Sequence, residues 1–260
     1  MIRKRLLVLG LCLCLFVLSF GVIAETLEEK IVQGIKCVKG NVTFHESGKL
    51  EYACLSQDQE IQGIKCSAGN EYDREYVGFY KSGNLEYACL SQDQVIQEIK
   101  CARYIRFYKS RRLARTCLSQ NQVIQGIKCA LGVGFYESGK IKYAWLLQDQ
   151  KIQGIECVKG VKFHPSGKLK HAFLSRNQVI QGIKCARGEV EFYESGKLKL
   201  VGLPQNQVIQ GRIKWIKRAR LWINKFGKLE RNWQIQRIEY KQGTRIFLNE
   251  KGEVIKNYLT

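Results

Sequence analysis

Apolar and polar residues alternate in short bursts along most of the chain, and each burst ends in the same turn. "FYESGKL" stands at 192–198, "FYESGKI" at 135–141 and "FHPSGKL" at 163–169. Aligned on the turn glycine, eight copies centre on Gly48, Gly83, Arg111 (a lost glycine), Gly139, Gly167, Gly196, Gly227 and Gly252. The regular middle repeats every 28 or 29 residues, and 70–76 reads as an insertion that lengthens the second step. Six positions before the glycine every copy is aliphatic, as at Val42, Val77, Ile105 and Val133. Four before it stand Phe44, Phe79, Phe107 and Phe135, and between these columns come Thr43, Gly78, Arg106 and Gly134. Apolar, variable, apolar is the period of a half-buried strand. Leu50, Leu85, Leu113 and Ile141, two after the glycine, begin the return strand. Each copy is therefore a hairpin whose glycine supplies the positive φ of the turn.

A second block, "LSQDQVIQEIKC" at 90–101, recurs as "LSQNQVIQGIKC" at 118–129, with glycine in place of Glu98. Its polar start supplies turn chemistry, and "IQGIKC" opens a further extended segment. Each unit then holds two long strands, or three segments if the break after the cysteine is a true corner. One unit cannot bury its own apolar face, but stacked neighbours can. The expected fold is all-β: tandem hairpins in one elongated antiparallel meander sheet, without a conventional second layer. A three-sided β-solenoid is the alternative.

Composition narrows the setting. At 45% hydrophobic and 25% charged the chain is globular. Residues 1–5 are basic, 6–23 are apolar and Val22-Ile23-Ala24 precedes Glu25, which reads as a signal peptide over 1–24 ahead of a single repeat domain over 25–260. An uncleaved anchor is the other reading of that stretch. Export places the chain in a periplasm, at a cell surface or outside the cell. The formal charge of +20 favours anionic partners, and export makes nucleic acid an unsuitable one.

Nine cysteines follow the leader. Cys37, Cys66, Cys101, Cys129, Cys157 and Cys185 share one column, continued by Trp215 and Tyr240. Cys54, Cys89 and Cys117 share another, continued by Trp145, Phe173 and Trp233. Replacement by large aromatics marks both columns as core, where a free thiol behaves as a small hydrophobe. Disulfides are the rival reading in an oxidising compartment. No ligand spacing for zinc is present. His45 and His164 vary a column otherwise filled by Tyr80, Tyr108, Tyr136 and Tyr193, and His171 varies one holding Tyr52, Tyr87 and Tyr143. No hydrolase, metalloprotease, P-loop or dinucleotide motif appears. The chain reads as non-catalytic, with no cofactor and no metal.

The order "FYESGKLKL", "LPQNQ", "IQG" (192–211) resembles the variant MORN repeat, found also in bacterial YwqK-family antitoxins. The resemblance spans most of 31–255. It implies a scaffold or binding surface, with an antitoxin-like role as one alternative. "GIKC" departs from it, carrying cysteine where that family often has an aromatic.

The surface supplies the candidate contacts. Lys36, Lys65, Lys100, Lys128, Lys184 and Lys214 stand beside the cysteine column, and Lys49, Lys140, Lys168, Lys197 and Lys228 follow the turn glycines. Stacking would align them into basic stripes, which solubility and edge protection also explain. The densest basic run, within 212–260, adds Lys217, Arg218 and Arg220 around Trp222, the one tryptophan off the core columns. That run is either a contact surface or a terminal cap. The expected partner is an anionic envelope component, lipid head group or glycan, or another envelope protein, with membrane-surface contact included. A purely structural protein–protein scaffold is the competing function.

Overall fold

The computed structural model describes residues 28–68, 76–205, 207–211 and 236–259. Its described residues form strands and turns and no helix. An 18-stranded antiparallel sheet, not closed into a barrel, runs through the chain as a meander. The all-β meander of tandem hairpins expected from the alternation is what the chain adopts.

The long hairpins explain the recurring seven letters. Ile127–Phe135 pairs with Ile141–Leu146, then Ile141–Leu146 with Ile155–Phe163, and so on outward in both directions. At each turn the residue after the phenylalanine closes a three-residue loop: Gly139 N–H donates to Tyr136 O at 2.8 Å, and Tyr136 N–H to Lys140 O at 2.8 Å. Gly139 has φ 86°, the left-handed position that such loops require. The inward columns behave as the alternation predicts. Val77, Ile105 and Val133 are fully buried, and Phe79, Phe107 and Phe135 are nearly so. Phe44 is the exception at 48% exposure, being the first of its column.

The expectation of a single layer is corrected. Gln122–Ile124 and Ile127–Phe135 also form a short hairpin, closed by Gln125 and Gly126 with φ of 48° and 81°. That two-residue turn has the positive dihedrals of a type I′ loop. Each short hairpin turns back over the inner face of the long ones and supplies a second layer. Its Ile124 and Cys129 join Val133, Phe135, Ile141 and Ala144 in one buried cluster. The break after the cysteine is the corner: Arg103, Leu131 and Lys159 have positive φ there, at shifts in the strand register.

Two columns of glutamine hold the layers. Gln125 Nε2 donates to Gly139 O at 2.8 Å while its Oε1 accepts from Ile141 N–H at 3.2 Å, tying the short hairpin's tip to the long turn. Gln122 Nε2 donates to Lys100 O at 2.9 Å while its Oε1 accepts from Lys100 N–H at 3.2 Å, tying one short hairpin to the preceding one. In both cases the amide side chain replaces a peptide group of a missing neighbouring strand. A third link runs along the long hairpins. Tyr80, Tyr108 and Tyr136 donate their hydroxyls to Phe107 O, Phe135 O and Phe163 O at 2.7–2.8 Å. His45 Nε2 reaches Phe79 O at 2.9 Å and His164 Nε2 reaches Phe192 O at 3.0 Å. A carbonyl only accepts, so Nε2 carries the proton in both rings. Histidine substitutes for tyrosine in this column because both present a donor at the ring tip.

Seven long hairpins are described. The copy around Gly227 lies outside the described residues, and the sheet passes from Leu200 directly to Phe247. Gln207–Gly211 pairs with Gln236–Tyr240, so that Tyr240 faces Gln207 where Cys185 faces Gln178 in the unit before.

The third unit carries two irregular turns. Glu98 and Arg111 hold φ of 68° and 64° where other units have glycine. L-residues pay about 1 kcal/mol or more for that conformation. Glu98→Gly and Arg111→Gly should each stabilise the chain by about 1 kcal/mol, read as a higher urea midpoint with an unchanged slope. A lower midpoint for either would show that the replaced side chain contributes more than the strain it causes.

Candidate functional site

Two outer faces remain once the core is closed, one on each layer. On the short-hairpin layer, inward Ile and Cys alternate with outward residues, and the cysteine-flanking lysines all point out. Lys65, Lys100, Lys128 and Lys184 are exposed, and Lys36 is half-buried with its Nζ 3.4 Å from Gln57 Oε1. Across the short ladders Lys36 faces Ile31, Lys100 faces Val95, Lys128 faces Val123 and Lys184 faces Val179. Those four aliphatic partners are 64–68% exposed. Two units interrupt the pattern with charge: Lys65 faces Glu60, and Glu156 faces Lys151. Among the described residues the ammonium groups of Lys65, Lys100 and Lys128 make no ion pair. Neighbouring short hairpins are one unit apart, two strand spacings or about 10 Å, so the face is a stripe of regularly spaced lysine–valine pairs.

The turn lysines have a different role. Lys49, Lys140 and Lys168 donate Nζ to Ser82 O, Ser166 O and Ser195 O of the next turn at 2.9–3.1 Å, and Arg112 does the same to Glu137 O. They staple successive turns instead of presenting a free stripe. Lys214, Lys217, Arg218, Arg220 and Trp222 lie outside the described residues, as do Lys228, Trp215 and Trp233.

The cysteines divide. All six of the first column are fully buried free thiols. Each donates S–H to the carbonyl two residues back, as Cys129 does to Ile127 O at 3.3 Å. Burial pushes Cys129 and Cys157 up to about 11, and Cys66 and Cys185 up to about 12. The second column is corrected: it is not core throughout. Cys54 is buried, but Cys89, Cys117 and Phe173 are half-buried and Trp145 is 49% exposed. The cause is a bulge. The register shifts between Gly134–Tyr143 and Phe135–Ile141 leave Lys142 as the extra residue. Strict alternation from Ile141 would point Tyr143 and Trp145 inward, but the bulge turns them outward and brings in Ala144 and Leu146.

Sequence reasoning therefore missed the outer face of the long-hairpin sheet. One row of directly paired residues crosses it: Tyr87, Arg106, Arg115, Gly134, Tyr143, Lys162 and His171. Glycine and ring are matched. A Cβ at Gly78 would fall 2.2 Å from Tyr87 Cε1, and one at Gly134 would fall 2.2 Å from Tyr143 Cε1. The rings lie across the space those glycines leave. That pairing was the available signal: Gly78 and Gly134 stand in the variable column of two units whose return strands carry tyrosine, Tyr87 and Tyr143, whereas the first unit sets Thr43 against Tyr52. Arg115 lies over the Tyr104 ring at 4.8 Å, and Arg106 pairs with Glu86. Toward the C-terminal end acids appear. Glu189 receives His171 Nε2 at 2.9 Å and pairs with Arg245, and the His171 hydrogen bond leads in holding its carboxyl below the usual range.

No group of three potential metal ligands occurs among the described residues, and no helix there is long and apolar enough to cross a membrane. No family model matches the chain, and no curated protein or solved structure matches it either.

Proposed function

We propose that this is a non-catalytic, exported repeat protein of the variant MORN type that binds an anionic surface at the cell envelope through its short-hairpin face. The observation that carries the reading is the pairing of exposed lysine with exposed valine at Val95/Lys100, Val123/Lys128 and Val179/Lys184. Lysine heads placed for phosphate contacts beside aliphatic side chains suit a lipid head-group layer, where cation and apolar surface are both matched. A solubilising face has no use for the valines, since exposed β-branched residues add nothing to solubility. The scaffold reading rests on the same stacked architecture, which offers extended surfaces to protein partners.

The test is co-sedimentation of the full chain with anionic and with zwitterionic vesicles at two salt concentrations. The combined change Lys65→Glu, Lys100→Glu and Lys128→Glu should weaken anionic-vesicle binding by about a hundredfold, at about 1 kcal/mol per lysine removed. Wild-type binding should weaken as salt rises. Binding that is indifferent to both the substitutions and salt would remove the lysine stripe from the account and favour the scaffold.

A further inference from the structure

The long-hairpin face combines features that its role in packing does not require. Its centre joins rings to cations, and the rings are held in place. Tyr143 lies across Gly134, and Trp145 stands opposite Gly160, where an added Cβ would fall 3.6 Å from its ring, so both side chains stand against backbone that carries no side chain of its own. Lys162 is exposed and stands between Tyr143 and His171 in the paired row. Arg115 is exposed on the other side of Gly134. Neither Lys162 nor Arg115 makes an ion pair among the described residues, and of the neighbouring acids Glu86 is paired with Arg106 and Glu189 with Arg245 and His171.

We propose that this central patch binds an acidic polysaccharide, with sugar rings stacked on Tyr143 and Trp145 and carboxylates met by Lys162 and Arg115. The C–H face of a pyranose packs on an aromatic ring through dispersion and the ring's negative face. A held ring loses little freedom on binding, which favours affinity. In the paired row Lys162 stands one strand from Tyr143 and Arg115 two strands from it on the other side, so the ring lies between two cations. A polymer of alternating neutral and acidic sugars brings ring and charge together once per disaccharide. Successive nucleotides of a single strand repeat at a shorter step and place a charge at each one, so the row is poorly spaced for them. The patch is also on the layer opposite the lysine–valine stripe, so this inference does not depend on the vesicle reading.

The full chain is tested by affinity electrophoresis through gels containing hyaluronan, whose uronate recurs once per disaccharide, or neutral dextran, with oligo-dT as competitor. Hyaluronan should retard the wild type and dextran should not. Trp145→Ala with Lys162→Glu should weaken hyaluronan binding roughly tenfold or more. Gly134→Ala, which displaces the Tyr143 ring without touching a charge, should weaken it severalfold. Circular-dichroism melts of each variant identify any that has lost its fold, and the two designs fail to fold for different reasons. The triple lysine-to-glutamate variant of the short-hairpin face, which changes net charge more, should alter hyaluronan binding less than about threefold. The proposal is overturned if hyaluronan does not retard the wild type. It is overturned equally if the triple variant loses as much binding as the patch variants, or if oligo-dT displaces hyaluronan and its own binding needs Trp145.

Discussion

Raising the pH from 8 to 10.5 should unfold this protein, and the buried cysteine column should be the cause. An unfolded thiol ionises near its ordinary value of 9.0, whereas Cys66 and Cys185 hold their protons to about 12 and Cys129 and Cys157 to about 11. Desolvation leads in each case, because the thiolate would sit among Ile, Leu and Phe side chains at zero exposure. Above pH 9 the unfolded chain therefore binds fewer protons than the folded one, and stability falls as pH rises. The contribution is intact below pH 9 and is lost progressively through the folded values. Each thiol costs about 1.4 kcal/mol per pH unit in that window. Four thiols over one and a half units sum to about 5–8 kcal/mol, comparable to the whole stability of an ordinary domain. Cys37 and Cys101 are raised as well and act in the same direction. Urea titrations in the presence of a reductant should show the decline beginning near pH 9, and Cys66→Ala with Cys185→Ala should flatten it. A stability that is level to pH 10.5 would sink the argument. A decline that starts only above pH 10 and ignores the cysteine changes would assign it to tyrosines raised by desolvation, such as half-buried Tyr143 and buried Tyr240.

How much of this was legible in the sequence depends on the kind of interaction. The long hairpins were, because burial follows side-chain parity: Val133, Phe135 and Ile141 occupy fixed positions around Gly139. The first cysteine column was legible for the same reason. The second was not, because parity counting assumes an unbroken ladder, and the residue bulged out at Lys142 reverses every position after it. This one residue separates a buried-core reading of Trp145 from the exposed ring observed. Strand parity alone puts Lys65, Lys100, Lys128 and Lys184 on an outward face, but pairing across a two-residue turn is needed to put Val123 next to Lys128. The turn lysines looked identical to them in sequence. Only the proximity of the next turn, which brings Ser166 O to Lys140 Nζ, makes them staples. The second layer was the largest omission. Its signal was present in the two glutamines that recur in every regular unit, at positions where a surface residue would be free to vary.

Those glutamines carry the last expectation, a loss of stability that acid partly restores. Gln122 offers its carbonyl to Lys100 N–H and its amide N–H to Lys100 O. Gln94, Gln150 and Gln178 do the same to Lys65, Lys128 and Glu156. The short hairpins Gln59–Ile61 with Ile64–Cys66 and Gln178–Ile180 with Ile183–Cys185 belong to no larger sheet, so there the amide clamp does the work of strand pairing to the neighbouring short hairpin. Glutamate has the same shape but, once ionised, only accepts. In Gln122→Glu one oxygen still takes the Lys100 N–H, while the other faces the Lys100 carbonyl with no proton to offer. A hydrogen bond becomes a repulsion, at a cost of about 2–3 kcal/mol. The carboxyl's pKa is raised in the folded chain, because its protonated form restores the donor. The deficit should therefore be full at pH 7 and shrink as pH falls through the carboxylate range, because the folded state takes up the proton first. Gln122→Leu, which can neither donate nor accept, should be destabilised to a similar degree at every pH. Comparing the two variants against wild type at pH 7 and pH 4 isolates the missing donor. Parallel behaviour of Glu and Leu across that range would mean the amide is replaced by water, and the short-hairpin layer would then be held by its buried isoleucines and cysteines alone.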